Sequence, residues 1–268
     1  MSELTVSYGG VEKVHPTSFS VRRGERLAIV GESGSGKSSV ANAIGGFIPE
    51  DVGTVSAQAL DLAGTSLLDF PSASIPRRRP GLSMIFQDAM SSLDPVWSVG
   101  SQLACVLPRS EFRTRRQLRG AAEQRLAQVG IADPRRVMSA LPGQLSGGMR
   151  QRVMLAIALA AEADVLIADE PTSALDVALA ITVMELLSNA ATEEDLALIF
   201  ISHDIALSRQ FADTVMVMRH GQVAETIASR DLSEATHPYT RGLLACVPSL
   251  SSSGLERLPT LESVGAVS

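Results

Sequence analysis

The sharpest chemistry in the chain lies in one run, Gly31-Glu32-Ser33-Gly34-Ser35-Gly36-Lys37-Ser38, which satisfies G-x-x-x-x-G-K-[ST] in full. It sits between an apolar run, Leu27 to Val30, and a helical pattern, SSVANAIGGF, that ends at Gly45-Gly46. Glycines at this spacing let the backbone wrap closely around phosphate oxygens, while loop amides and the helix N-terminus point at the anion. Lys37 would reach the β- and γ-phosphates, and the Ser38 hydroxyl would ligate Mg²⁺. Gly31, Ser33, Gly34, Ser35, Gly36 and the adjoining Ser39 complete the candidate nucleotide cradle. A glycine-rich turn matching by accident is expected in roughly one chain of this length in a hundred. The strand-to-helix context lowers that further. Lys37 is also one of only two lysines, the other being Lys13; arginine supplies the remaining basic residues, a bias most simply genomic.

A second group completes a reaction. Val165-Leu166-Ile167-Ala168-Asp169-Glu170 reads as an apolar strand delivering two carboxylates at its C-terminal end, where parallel sheets place their ligands. Asp169 would hold Mg²⁺, usually through water, and Glu170 would orient or deprotonate the attacking water. Gln87 follows the apolar run Leu82 to Phe86, and His203 follows the strand that ends near Ser202, so each is a polar group at a strand end. Leu145-Ser146-Gly147-Gly148-Met149-Arg150-Gln151-Arg152 opens a helical pattern and makes a second anion-facing helix N-terminus. Because the first loop already serves that purpose, the second makes sense facing another subunit's nucleotide. Ser173-Ala174-Leu175-Asp176 follows the carboxylates closely.

The elements that must hold these groups are legible in outline. The first ~60 residues read as short strands and tight turns, with Gly53 to Leu60 alternating like an edge strand. From Asp88 to Ala161 the periodicity is mostly helical, broken at Pro95, Pro108, Pro134 and Pro142. Val165 to Ala168 and Leu198 to Ser202 read as buried strands with a helix, Val177 to Ala190, between them. That βαβ pattern implies a parallel sheet with helices on its faces. Val215 to Met218, the turn Arg219 to Gln222, and Val223 to Ile227 read as a hairpin. Ser249 to Ser268 reads as a loose tail.

Composition excludes several classes. Apolar residues form 45% and charged residues 19% of the 268 positions, which is globular rather than disordered. A net charge of -6 speaks against a dedicated nucleic-acid binder, so Arg77-Arg78-Arg79 and the arginines from Arg109 to Arg119 are expected on solvated faces. Two distant cysteines, Cys105 and Cys246, provide no disulfide framework or cysteine metal site and are expected as buried small apolar residues. No secretory signal opens the chain, and Val153 to Ala161, its longest apolar stretch, is about half the ~20 residues of a membrane span.

Taken in order and spacing, the phosphate loop, Gln87, Leu145-Ser146-Gly147-Gly148, Asp169-Glu170, Ser173 to Asp176 and His203 resemble the nucleotide-binding subunit of an ABC transporter, over about residues 1 to 245. The resemblance implies an α/β fold with a P-loop NTPase core, a mostly parallel sheet, an antiparallel β subdomain and an inserted helical subdomain. The ATPase domain would span 1–248, its helical part about 88–161, with 249–268 a flexible tail. It implies that two subunits sandwich two ATP molecules, so that Ser146, Gly147 and Gly148 reach the partner's γ-phosphate. His203 would then position that phosphate for hydrolysis at Glu170. Gln87 would act in catalysis and join Ser38 and Asp169 around Mg²⁺, and Asp176 would line the nucleotide interface. Tyr8 matches the aromatic that stacks on adenine, a contact of about 1–3 kcal/mol, with an ordinary strand tyrosine as the alternative.

Within that family, SGGMRQRVMLAIAL, with Met149 where glutamine is commonest, resembles the ATPases of peptide and nickel importers. Phe86-Gln87-Asp88, Ser91 to Val96, Ile167 to Val177 and Thr236-His237-Pro238-Tyr239-Thr240-Arg241-Gly242-Leu243-Leu244 resemble the same branch. Cys246 stands alone, so no iron-sulfur cluster is expected. The resemblance implies two membrane permeases, a second ATPase chain (a heterodimer, with a homodimer as the alternative), an extracytoplasmic solute-binding protein, and a peripheral position on the cytoplasmic membrane face. Residues 88 to 107 would touch the permease. Two other functions compete. One is a soluble ABC ATPase without a permease, as in iron-sulfur assembly or repair; the other is a regulatory subunit that binds ATP without hydrolysing it. The importer-branch stretches weigh against the first, and Glu170 with His203 against the second.

Overall fold

The computed structural model describes residues 1–70, 79–87, 92–173 and 175–247. The chain divides into two compact units, 1–78 with 199–268, and 79–198. In chain order the elements are β1 (Leu4–Tyr8), β2 (Val11–Thr17), β3 (Arg26–Val30), α1 (Lys37–Gly45), β4 (Gly53–Ser56), β5 (Asp61–Leu62), β6 (Thr65–Ser66), β7 (Leu82–Ile85), α2 (Val99–Val106), α3 (Arg115–Gln128), α4 (Pro134–Ser139), α5 (Gly147–Leu159), β8 (Val165–Asp169), α6 (Val177–Glu193), β9 (Ala197–Ser202), α7 (Ile205–Phe211), β10 (Thr214–Arg219), β11 (Gln222–Ala228) and α8 (Pro238–Ala245). The boundary between the units falls within β9.

In the first unit the strands run in the order β11-β10-β3-β9. β3 and β10 are parallel, Leu27 opposite Thr214 and Val30 opposite Val217. Ala28 to Val30 and Val215 to Met218 are all buried, which is why both strands read as continuous apolar runs rather than alternating ones. Phe200 in β9 and Met216 in β10 are fully buried, each contributing about 1.5–3 kcal/mol of apolar burial. β10 and β11 form the expected hairpin, and β11 at the edge is half-buried except at the exposed Gln222 and Thr226. A separate antiparallel sheet, β2-β1-β4, pairs Val6 with Val14 on one side and Val55 on the other. Pro16 is accommodated because β2 is an edge strand. β4 is also an edge, but it ends at Ser56 rather than Leu60: the amides of Gln58 and Ala59 both turn to the Ser2 carbonyl.

Arg26 ties β3 to the start of β10. Its guanidinium donates to both carboxylate oxygens of Asp213, at 2.7 and 3.0 Å, and its backbone N–H donates to the same side chain at 2.9 Å. The bonds from Arg26 hold the Asp213 carboxyl below its ordinary range, outweighing the opposing effect of burial.

In the second unit β7 and β8 are parallel, with Leu82 opposite Val165 and Ile85 opposite Ala168. The periodic segment expected from 88 to 161 holds α2 to α5, each begun by a polar cap. Ser98 accepts from the Ser101 amide, Thr114 and Gln117 form a reciprocal capping box, Asp133 caps α4 ahead of Pro134, and Ser146 caps α5. The apolar stretch from Val153 is the buried body of α5, packed against β7 through a bond from Ser83 Oγ to the Ala158 carbonyl (2.9 Å). Among the described residues no helix is long and apolar enough to cross a membrane.

Three expectations are corrected. Cys105 is exposed and Cys246 half-buried. α2 buries Val99, Gly100 and Leu103, and Cys105, two residues beyond Leu103, falls on the opposite face. Arg79 is buried rather than solvated, and burial pushes its guanidinium pKa down. The arginines of the 109–119 stretch are exposed, as expected. Arg77, Arg78, residues 88–91 and the tail 249–268 lie outside the described residues.

Candidate functional site

The phosphate loop belongs to the first unit and is formed by close backbone packing. Gly31 leaves β3 with φ 152°, and a Cβ there would lie 2.1 Å from the Met218 carbonyl oxygen of β10. Only glycine fits this position. Gly36, with φ 100°, is the N-cap of α1 and offers no side-chain cap, so the first amides of the helix stay available to an anion. Lys37 is 5% exposed, and its Nζ donates to the carbonyls of Gly31 (2.8 Å) and Glu32 (2.7 Å) and to Ser35 Oγ (3.4 Å). The ammonium is therefore already desolvated and held inside the loop. Tyr8, half-buried at the end of β1, donates from its hydroxyl to Ser39 Oγ at 3.4 Å, which places the candidate adenine-stacking ring beside the first turn of α1.

The hairpin turn braces the loop from the other side. His220 (φ 48°) and Gly221 (φ 78°) form the two-residue connection of β10 to β11. Gly221 N–H donates to the Ser35 carbonyl (3.0 Å), and its own carbonyl accepts from His15 N–H (2.8 Å). A Cβ on Gly221 would lie 2.4 Å from the Lys13 carbonyl oxygen. His203, also in the first unit, is exposed just past β9. The next residue, Asp204, caps α7 by accepting from the amides of Ala206 and Leu207, which fixes where His203 leaves the strand.

The second unit brings together the carboxylates and Gln87. Asp169 is 5% exposed at the end of β8. Glu170 follows in the left-handed region (φ 47°), a backbone that costs a non-glycine residue about 1–3 kcal/mol and clusters at functional sites. Its Oε2 accepts from the Gln87 side-chain amide at 2.8 Å. Ser173 Oγ donates to the Gln87 carbonyl (3.3 Å), and Gln151 Nε2 of α5 donates to the Pro171 carbonyl. Ser146 Oγ accepts from the Met149 amide at 3.3 Å, and Gly147 and Gly148 open α5. That helix end borders a cavity of about 700 Å³ lined by Arg136, Gln144, Ser146, Gly148, Met149 and Arg152, among others. The Asp176 carboxylate accepts from the Leu179 amide as the cap of α6. Ala174, inside the same motif, lies outside the described residues.

The groups nominated around Mg²⁺ are a serine hydroxyl, a carboxamide and a carboxylate. These are hard oxygen donors of the kind that ion accepts when phosphate oxygens complete its shell. Among the described residues no group of three or more histidine, cysteine, aspartate or glutamate side chains could hold a metal ion. Sequence reasoning missed Gly221, Gln151, Asp204 and the role of Tyr239. Asp204 alone carried a local signal, an aspartate immediately before a helical run.

A strand, a glycine loop closed on a buried lysine, and a strand-end Asp-Glu pair bonded to a glutamine define a phosphate-loop ATPase of the ATP-binding-cassette class. The ABC transporter family model matches residues 14–173, more than half of the chain. This protein belongs to the ABC transporter family and is an ATPase. It is 42% identical over 98% of its length to the dipeptide transport ATP-binding protein DppD of Haemophilus influenzae, covering 81% of that protein. It is 41% identical over 97% of its length to the oligopeptide transport ATP-binding protein OppD of Bacillus subtilis, covering 75% of that one. A solved ATP-binding cassette, a dimer in a post-hydrolysis state bound to ADP and phosphate, superposes with a TM-score of 0.69 at 25% identity, over 85% of this chain and 99% of the other.

Proposed function

We propose that this chain is the ATP-hydrolysing subunit of a membrane importer for peptides or a related small solute. Lys37 and the loop amides hold the β- and γ-phosphates, Tyr8 stacks on adenine, and Ser38, Gln87 and Asp169 hold Mg²⁺. When bound, Mg²⁺ neutralises charge developing on the transferred phosphoryl group. Glu170 accepts the proton of the attacking water, and its bond to Gln87 opens as that water takes its place. His203 positions the γ-phosphate. Ser146, Gly147 and Gly148 reach the nucleotide of a second ATPase chain, and Asp176 lines that interface. Closure around ATP and reopening after hydrolysis drive two permeases, to which residues 88 to 107 dock on the cytoplasmic face of the membrane. An external solute-binding protein delivers the cargo. The observation that carries hydrolysis, rather than binding alone, is Glu170 bent out of β8 and held by Gln87. The transport names of the relatives support a peptide-class cargo.

The test is affinity capture of the tagged chain from detergent-solubilised native membranes, with the co-purifying chains identified by mass spectrometry. Two membrane-spanning permeases and a second ATPase are expected. Soluble partners alone, from membranes whose other transporters stay assembled, would move the reading to an ABC ATPase without a permease.

A further inference from the structure

The segment Thr236 to Leu244 resembles a branch motif and takes no part in the proposed hydrolysis. In the first unit it reaches the phosphate loop. Tyr239, 1% exposed on α8, accepts a hydrogen bond on its hydroxyl oxygen from the Glu32 backbone N–H at 3.1 Å. That N–H belongs to the peptide unit joining Gly31 to Glu32. The carbonyl of the same unit accepts from Lys37 Nζ at 2.8 Å. A single peptide plane is thus held at one edge by Tyr239 and at the other by the lysine that reads the phosphates.

The anchor is itself fixed. The Arg219 guanidinium lies 5.1 Å from the centre of the Tyr239 ring, a cation–π distance. Tyr239 N–H donates to His237 Nδ1 (3.2 Å), which caps α8. The Glu225 carboxylate on β11 accepts from the Thr236 amide (2.9 Å), the Thr236 hydroxyl (3.1 Å) and the His237 amide (3.3 Å). Burial pushes the Tyr239 phenol up, so it remains neutral at working pH.

We infer that Tyr239 is a positioning residue for ATP binding, orienting the Gly31–Glu32 peptide and through it Lys37. Without the hydroxyl the peptide can rotate, and ordering the loop falls to the nucleotide, which weakens binding while leaving hydrolysis of bound ATP intact. The inference rests on Lys37 reading a nucleotide. Tyr239→Phe keeps the ring and its contact with Arg219 and removes only the oxygen. In the captured complex the KM for ATP should rise roughly three- to tenfold, with kcat within about twofold and the thermal midpoint of the free chain unchanged. A merely structural tyrosine would lower the active fraction, and so kcat and the midpoint, with KM unmoved. That pattern, an unchanged KM, or tighter binding would overturn the inference. Wild-type chain that fails to bind ATP would instead overturn the phosphate-loop reading itself.

Discussion

Lys37 and Glu170 show why candidate site residues can be read from sequence, whereas Gln87 counts only beside them. A phosphate loop and a strand-end carboxylate pair carry their chemistry in consecutive residues, so spacing alone exposes them. The positions around them are set by partners far along the chain. Glu32 and Tyr239 are separated by 207 residues, and Gly31 is compelled by the carbonyl of Met218. No local pattern announces either. Lys37→Met keeps much of the buried stem and removes the charge; phosphate release should fall about 10²–10³-fold, the scale of losing one transition-state donor. Gly31→Ala drives a methyl group into the β10 backbone. It should lower the urea midpoint by the equivalent of about 1–3 kcal/mol and weaken ATP binding in titration calorimetry. A variant as stable as wild type would show that the close approach of loop and strand is not required.

Strands and helices were the readable layer wherever burial is one-sided or complete. β3, β8, β9 and β10 read as apolar runs because they are buried, and the helical period marks the stretches that hold α2 to α6 without giving the separate helices or their caps. β4 ran shorter than its alternation because Ser2 captures the next two amides, a tertiary contact without a sequence signature. Cys105 is exposed and Arg79 buried against their usual habit, because composition gives a residue's usual burial, not its place on a helix face or in a fold. Asp204→Ala removes the cap of α7 and should cost about 1 kcal/mol, with a modest fall in turnover as His203 loses its fixed exit from β9. The Arg26–Asp213 pair has a signed dependence on pH. Because the Asp213 carboxyl is depressed in the fold, its stabilisation is present above the ordinary carboxylate range and is lost as pH falls through the folded value. Partly exposed, it is worth a few tenths to about 1 kcal/mol after solvent screening. Asp213→Asn should therefore be less stable than wild type at neutral pH in urea titrations, and the difference should close in acid.

At the scale of the whole molecule, a chain whose described residues hold no membrane-spanning helix carries a phosphate loop, a strand-end carboxylate pair and a helix opened by Ser146, Gly147 and Gly148. The similarity to dipeptide and oligopeptide transport ATP-binding proteins across nearly the full chain supports an ATPase that energises a peptide importer. Water activated by Glu170 should drive the turnover of this ATPase. The most direct measurement is the rate of phosphate release by the captured complex carrying Glu170→Gln, beside its affinity for ATP. Turnover should fall about 10²–10⁴-fold, the usual contribution of a positioned general base, with ATP still bound. Turnover equal to wild type would contradict the account.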